Sequence, residues 1–211
     1  MSLTAATAGC TPHSNAAPVH APSGPASPAP VYGGPHSTAV PTPGASPAVV
    51  APNGVDLLFA KMMIPHHGQA VRMSRSLAGK TGVPERVVAV ADYIAADQQR
   101  EIHEMNAWLQ AWGHPPVNPD DPANSRLHGR DAATHGMLTE EQVRAGEAAA
   151  PPTATRMFLE QMIEHHRGAI TMAQSALKDG SNAYTRTLAK HIINEQSTEN
   201  ESMTTMLTEL R

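Results

Sequence analysis

The segment Met62-Met63-Ile64-Pro65-His66-His67-Gly68-Gln69-Ala70-Val71-Arg72-Met73 returns ninety-nine positions later as Gln161-Met162-Ile163-Glu164-His165-His166-Arg167-Gly168-Ala169-Ile170-Thr171-Met172. The correspondence reaches back to Phe59 and Phe158. It runs forward through Gln98-x-x-Glu101-x-x-x-Met105 and Gln196-x-x-Glu199-x-x-x-Met203. The chain therefore carries one unit of about fifty residues twice, and any fold has to place the same supersecondary element two times.

Punctuation within each copy predicts a helical hairpin. The first helix starts near Asn53 to Asp56, after Pro52, and runs to about Leu77, where Gly79-Lys80-Thr81-Gly82 turns the chain. Pro65 lies inside it and has no N–H for the Lys61 carbonyl, so a kink is expected just before the His pair. The second helix runs from Pro84 to about Trp112, with Gly113 as a C-terminal cap and Pro115-Pro116 as a stop. A long connection follows, in which Thr139-Glu140-Glu141-Gln142 has capping-box form. Pro151-Pro152 opens the third helix, which ends near Asp179-Gly180, and Ser181 or Asn182 caps a fourth. Short turns inside the hairpins and a long crossover between them predict an all-α, ferritin-like four-helix bundle. The order of its parts is repeat one over 53–112, connection over 113–150 and repeat two over 151–211. An up-down-up-down bundle is the alternative.

Residues 11–52 are dominated by Pro, Ala, Ser and Gly and hold few large apolar side chains, too few to offset the entropy of ordering them. This stretch is expected to be a disordered linker. The sole cysteine, Cys10, excludes an intrachain disulfide. Its setting, Thr7-Ala8-Gly9-Cys10, resembles the end of a bacterial lipoprotein signal, although the residues before it include neither a charged nor an apolar region of such a signal. The expectation is an extracytoplasmic protein, secreted or held to the membrane through a lipid on Cys10. A net charge of −4 with 3% aromatic residues and no basic stripe argues against nucleic-acid binding. No uncharged apolar run reaches the roughly 18 residues of a membrane span.

On a helix, residues three, four and seven apart share a face. Met63, His66, His67, Ala70 and Met73 form one stripe, and Met162, His165, His166, Ala169 and Met172 form its copy. Gln98, Glu101 and Met105, and Gln196, Glu199 and Met203, form stripes on the second and fourth helices. A di-iron bundle would supply Glu-x-x-His. Here Met63-x-x-His66 and Met162-x-x-His165 stand in its place, and no His has a Glu three residues before it. Exchanging a carboxylate for a thioether moves preference from hard iron towards copper, above all Cu(I). Ten of the eleven Met fall within residues 53–211, where ordinary core-filling would favour Leu.

Met63, His66 and Met73, with Met162, His165 and Met172, are the candidate copper ligands. His67 and His166 are further ligands or orienting groups. Glu101 and Glu199 are candidate acceptors for an imidazole N–H, and another transition metal could take copper's place. Both stripes are also compatible with plain packing, since a duplicated fold duplicates its core residues. Glu101 and Glu199 could equally sit on a solvated edge or pair with Arg72 or Arg167. The unrepeated His103, His114, His128, His135 and His191 are set aside as incidental.

At these residues the chain resembles the bacterial family called domain of unknown function 305. Asp56, Phe59, Met63, Ile64, His66, His67, Ala70 and Met73 match its first motif, and Gln98, Glu101, Ile102, Met105, Trp108 and Leu109 its second. Phe158, Met162, Ile163, His165, His166, Gly168, Ala169 and Met172 repeat the first, and Gly136-Met137 is similar to an interior Gly-Met segment. The resemblance covers nearly all of 53–211. It implies a ferritin-like bundle, usually exported, with some members binding copper in the periplasm. The second copy departs at Thr155, where the first has Asp56, and at Asn200 and Thr205-Met206-Leu207, so two equal sites do not follow.

The functional expectation is extracytoplasmic copper binding, for sequestration or delivery. The alternatives are a structural or interaction module without metal, and a metal-dependent oxidase using the same ligands. No Gly-x-Ser-x-Gly elbow or Gly-rich phosphate loop supports other chemistry.

Overall fold

The computed structural model describes residues 50–210. Cys10 and nearly all of the predicted linker lie outside the described residues. Within them the chain is helical, with no strand: α1 (Gly54–Ala78), α2 (Glu85–Ala111), α3 (Pro122–Ser125) followed by a 3-10 turn over Arg126–Asp131, α4 (Glu140–Ala148), α5 (Pro151–Asp179) and α6 (Ala183–Glu209).

Local chemistry sets the boundaries. The Asn53 side chain accepts from the backbone N–H groups of Val55 and Asp56, while the Asp56 carboxylate accepts from Asn53 N–H at 2.8 Å, a reciprocal cap on α1. Asp56 also accepts from the backbone N–H of Ser181 and Asn182, both at 3.1 Å, tying the start of α1 to the α5–α6 turn. α1 continues unbroken through Pro65. At the end of α2, Gly113 takes φ +77. His114 N–H then donates to Leu109 C=O, and Gly113 N–H to Gln110 C=O, the paired bonds of a left-handed glycine cap. Thr139 and Gln142 form the predicted box on α4, and Asn182 caps α6 by accepting from Tyr184 N–H.

Two apolar clusters fix how the four long helices run. One joins the first half of α1 (Phe59, Met63), the second half of α2 (Met105, Leu109), the second half of α5 (Met172, Ala176) and the first half of α6 (Leu188, Ile192). The other joins the opposite halves through Met73, Leu77, Ile94, Phe158, Met162 and Met203. α1 and α5 are therefore antiparallel, as are α2 and α6. Since each hairpin is itself antiparallel, the order is up-down-down-up, and the connection has to travel the length of the bundle.

Its contacts follow that path. Asn106 brackets Val117 through two hydrogen bonds near the end of α2. His128 and His135 then reach Met62 and His66, and Gln69 exchanges two hydrogen bonds with Leu138. Arg72 binds Glu140 and Glu147 on α4, and Lys80 donates to the carbonyls of Glu147 and Ala149. This is the ferritin-like crossover, and the up-down-up-down alternative is set aside. Among the described residues, no helix is long and apolar enough to cross a membrane.

Candidate metal centre

Between the two apolar clusters lies a polar layer. His66 and His67 on α1, Gln98 and Glu101 on α2, His165 and His166 on α5, and Gln196 and Glu199 on α6 occupy the middle of their helices, and all eight are buried. The four histidines have no solvent exposure at all. Water is thus excluded from their ring nitrogens, and each nitrogen depends on a protein partner.

The second histidine of each pair has one. His67 Nε2 lies 2.6 Å from Glu101 Oε2, and His166 Nε2 lies 2.7 Å from Glu199 Oε2. A carboxylate only accepts here, so each ring donates Nε2–H and keeps its lone pair on Nδ1. Glu101 and Glu199 thus each accept from one buried imidazole N–H. Arg72 instead pairs with Glu140 and Glu147, and Arg167 with Glu164.

His66 and His165 meet across the α1–α5 interface, with ring centroids 3.7 Å apart. His66 donates Nε2–H to the His135 carbonyl at 2.8 Å, which again leaves the lone pair on Nδ1. Neither nitrogen of His165 has a hydrogen-bond partner, and the Nδ1 atoms of His66, His67 and His166 have none either. Burial is the largest influence holding His66 and His165 well below the ordinary imidazole range, followed by repulsion from neighbouring imidazoles. Both rings are neutral near pH 7, the state that can ligate a metal.

The methionines assort across the repeats. Met63, Met105 and Met172 share one apolar cluster, and Met73, Met162 and Met203 share the other. Met63 and Met162 are fully buried, each one turn before a histidine of the His66–His165 pair. Met73 and Met172 lie about two turns beyond, Met73 in the cluster that holds Met162 and Met172 in the cluster that holds Met63.

Two histidines set aside in the sequence join this region. His128 Nε2 donates to the Met62 carbonyl at 3.1 Å, His128 and His135 approach each other at Nδ1 to 3.2 Å, and the His128 ring lies 5.9 Å from that of His66. Burial pushes His128 down to about 4 and also lowers His135. They escaped notice because they have no repeated partner. The available signal was glycine. A Cβ on Gly168 would meet the His135 carbonyl oxygen at 1.9 Å, and one on Gly136, where φ is +74, would meet the Glu164 carbonyl oxygen at 2.6 Å. These two glycines let the backbone of the connection touch α5, which delivers the His135 carbonyl to His66.

Known structures share this fold. A DUF305 fragment from Deinococcus radiodurans is 27% identical, with a TM-score of 0.66 over 76% of this chain and 99% of that one. A DUF305 protein of Streptomyces coelicolor, described as secreted, is 30% identical, with a TM-score of 0.64 over 74% of this chain and 93% of its own. CopM in its Cu(II)-bound form is 26% identical, with a TM-score of 0.59 over 74% of this chain and 97% of CopM, and CopM has also been solved with Cu(I). No curated protein matches the sequence. The sequence profile of the domain of unknown function DUF305 matches residues 56–207, nearly the whole helical region, and by that match the chain belongs to the DUF305 family.

Proposed function

We propose that the buried histidine layer binds copper, and that the protein sequesters or delivers the metal outside the cytoplasm. The observation that carries this reading is the set of buried, unpartnered Nδ1 atoms on His66, His67, His165 and His166. A buried polar group left unpaired costs about 1–3 kcal/mol. Four such atoms in one layer, with two of the rings held by carboxylates, make poor packing chemistry and a good ligand set. Met63, Met73, Met162 and Met172 supply the soft donors that favour Cu(I).

A groove of about 250 Å³ beside the layer is lined by Met62, Met172, His128 and His135 among others. It offers thioether and imidazole donors between solvent and His66, a path suited to metal arriving or leaving. CopM, a structural relative, binds Cu(II) and Cu(I). The relative described as secreted and the setting of Cys10 support an extracytoplasmic location, with Cys10 as the lipid anchor and residues 11–52 as the tether. The test is competition for Cu(I) against a chromophoric chelator, using protein purified without a His tag. Stoichiometric retention of Cu(I) is expected, and a protein that surrenders all of its copper to a weak chelator would overturn the reading.

A further inference from the structure

We propose a second metal site, sharing only Glu101 with the histidine layer, between α2 and α6 near the surface, where Asp97, Glu101 and His191 converge to hold a borderline divalent cation of the Zn(II) class. Asp97 and Glu101 are one helical turn apart on α2, so both carboxylates share a face. His191 approaches them from α6. Its Nε2 lies 3.6 Å from Glu101 Oε1 and 4.0 Å from Asp97 Oδ2, and one ligand atom from each residue falls within 4.8 Å of the others.

These separations exceed hydrogen-bond range but suit a shared ion. Two ligands on a tetrahedral Zn(II) with bonds of ~2.0–2.1 Å are roughly 3.3 Å apart, which small side-chain rotations would reach here. Glu101 supplies the independent reason to expect a ligand. Its side chain is 2% exposed, Oε2 is taken by His67, and Oε1 is buried with no hydrogen-bond partner while facing His191. Asp97 Oδ1 pairs with Arg100, which leaves Oδ2 turned to His191.

The donor set is one imidazole and two carboxylates, without sulfur. That composition selects Zn(II) or Cu(II) over Cu(I). The repeat-related position lacks the arrangement. In the register that aligns Gln98 with Gln196, His191 corresponds to Tyr93, whose hydroxyl donates to Glu195. A phenol at neutral pH is a poor substitute for imidazole, so the site belongs to one face and is not a by-product of the repeat. The inference does not depend on the copper reading: Glu101 is the one shared residue, with Oε2 held by His67 and Oε1 turned to this site, and the other donors and the metal are different.

Equilibrium dialysis of the full chain against Zn(II), with Cu(I) retention measured in parallel, tests it. His191→Gln and Asp97→Asn replace a partly exposed and a half-buried side chain on intact helices, and circular dichroism verifies that the helices persist. Each substitution is expected to remove one equivalent of Zn(II), or to weaken it at least tenfold, while Cu(I) retention matches the parent. Weaker Zn(II) binding at His13, His20 and His36, which neither variant changes, would persist in both and so cancel in the comparison. Zn(II) stoichiometry and affinity unchanged from the parent in both variants would overturn the site, whatever the copper titration shows.

Discussion

At the level of single atoms, the informative nitrogen is Nδ1. The hydrogen bonds from His67 to Glu101, from His166 to Glu199 and from His66 to the His135 carbonyl place a proton on Nε2 in all three rings. The lone pair is thereby left on Nδ1 before any metal arrives. His66→Ala together with His165→Ala removes the facing pair without touching the apolar clusters that hold the helices. Cu(I) affinity should fall steeply in the chelator competition while far-ultraviolet circular dichroism keeps its helical signature. Met63→Leu with Met162→Leu asks a different question. Each swap conserves volume and should cost less than about 1.5 kcal/mol of stability. It removes two soft donors, so retention of Cu(I) should drop more than retention of Cu(II). If Cu(I) retention is untouched in both double variants, the repeated residues are packing features.

At the level of elements, the crossover builds the site as much as the repeated helices do. Gly168 is in the interior of α5, where Ala would normally favour the helix by about 1 kcal/mol. Here the sign should reverse. The added methyl would fall on the His135 carbonyl, push the connection away and break its bond to His66. Overpacking of this kind typically costs 1–3 kcal/mol. Gly168→Ala should therefore lower the denaturation midpoint, whereas Gly54→Ala, with nothing within 4 Å of the new Cβ, should leave it level or raise it. The same contrast explains what was legible in the sequence. Helix limits were readable because caps are local: Asn53 with Asp56, Thr139 with Gln142, Gly113 and Asn182 each act within a few residues of themselves. Glu101 and Glu199 were readable as candidate acceptors for an imidazole N–H because the repeat names each of them, but which histidine each meets is set by packing. The placement of His128 and His135 was not readable, since it depends on a connection whose course is set by tertiary packing. A helical glycine at 168 was the trace that packing left in the sequence.

At the level of the whole molecule, a neutral imidazole layer between two apolar clusters makes stability a function of pH. His66 and His165 are held well below 6.5, and His128 at about 4, chiefly by burial. In the unfolded chain the same residues protonate near 6.5. Between these limits the unfolded state binds more protons than the native state, so unfolding becomes easier as pH falls. Each such histidine can contribute a slope of up to about 1.4 kcal/mol per pH unit. The stabilisation is fully present above pH 6.5 and is lost on descent towards the folded values, for His128 between 6.5 and about 4. The ion pairs of Arg72 act in another window. Arg72 draws Glu140 down to about 2 and lowers Glu147, so their contribution is present above the ordinary carboxylate range and lost in stronger acid. Being solvent-exposed, those pairs add little. Urea titrations of the metal-free protein at pH 7, 6 and 5 should show a midpoint that falls steadily, before carboxylate titration dominates. His66→Ala with His165→Ala should flatten that fall, leaving the part that belongs to His128. A midpoint constant from pH 7 to 5 would mean that these rings are protonated or solvated in the native bundle, and the ligand-ready state of the layer would be lost with them.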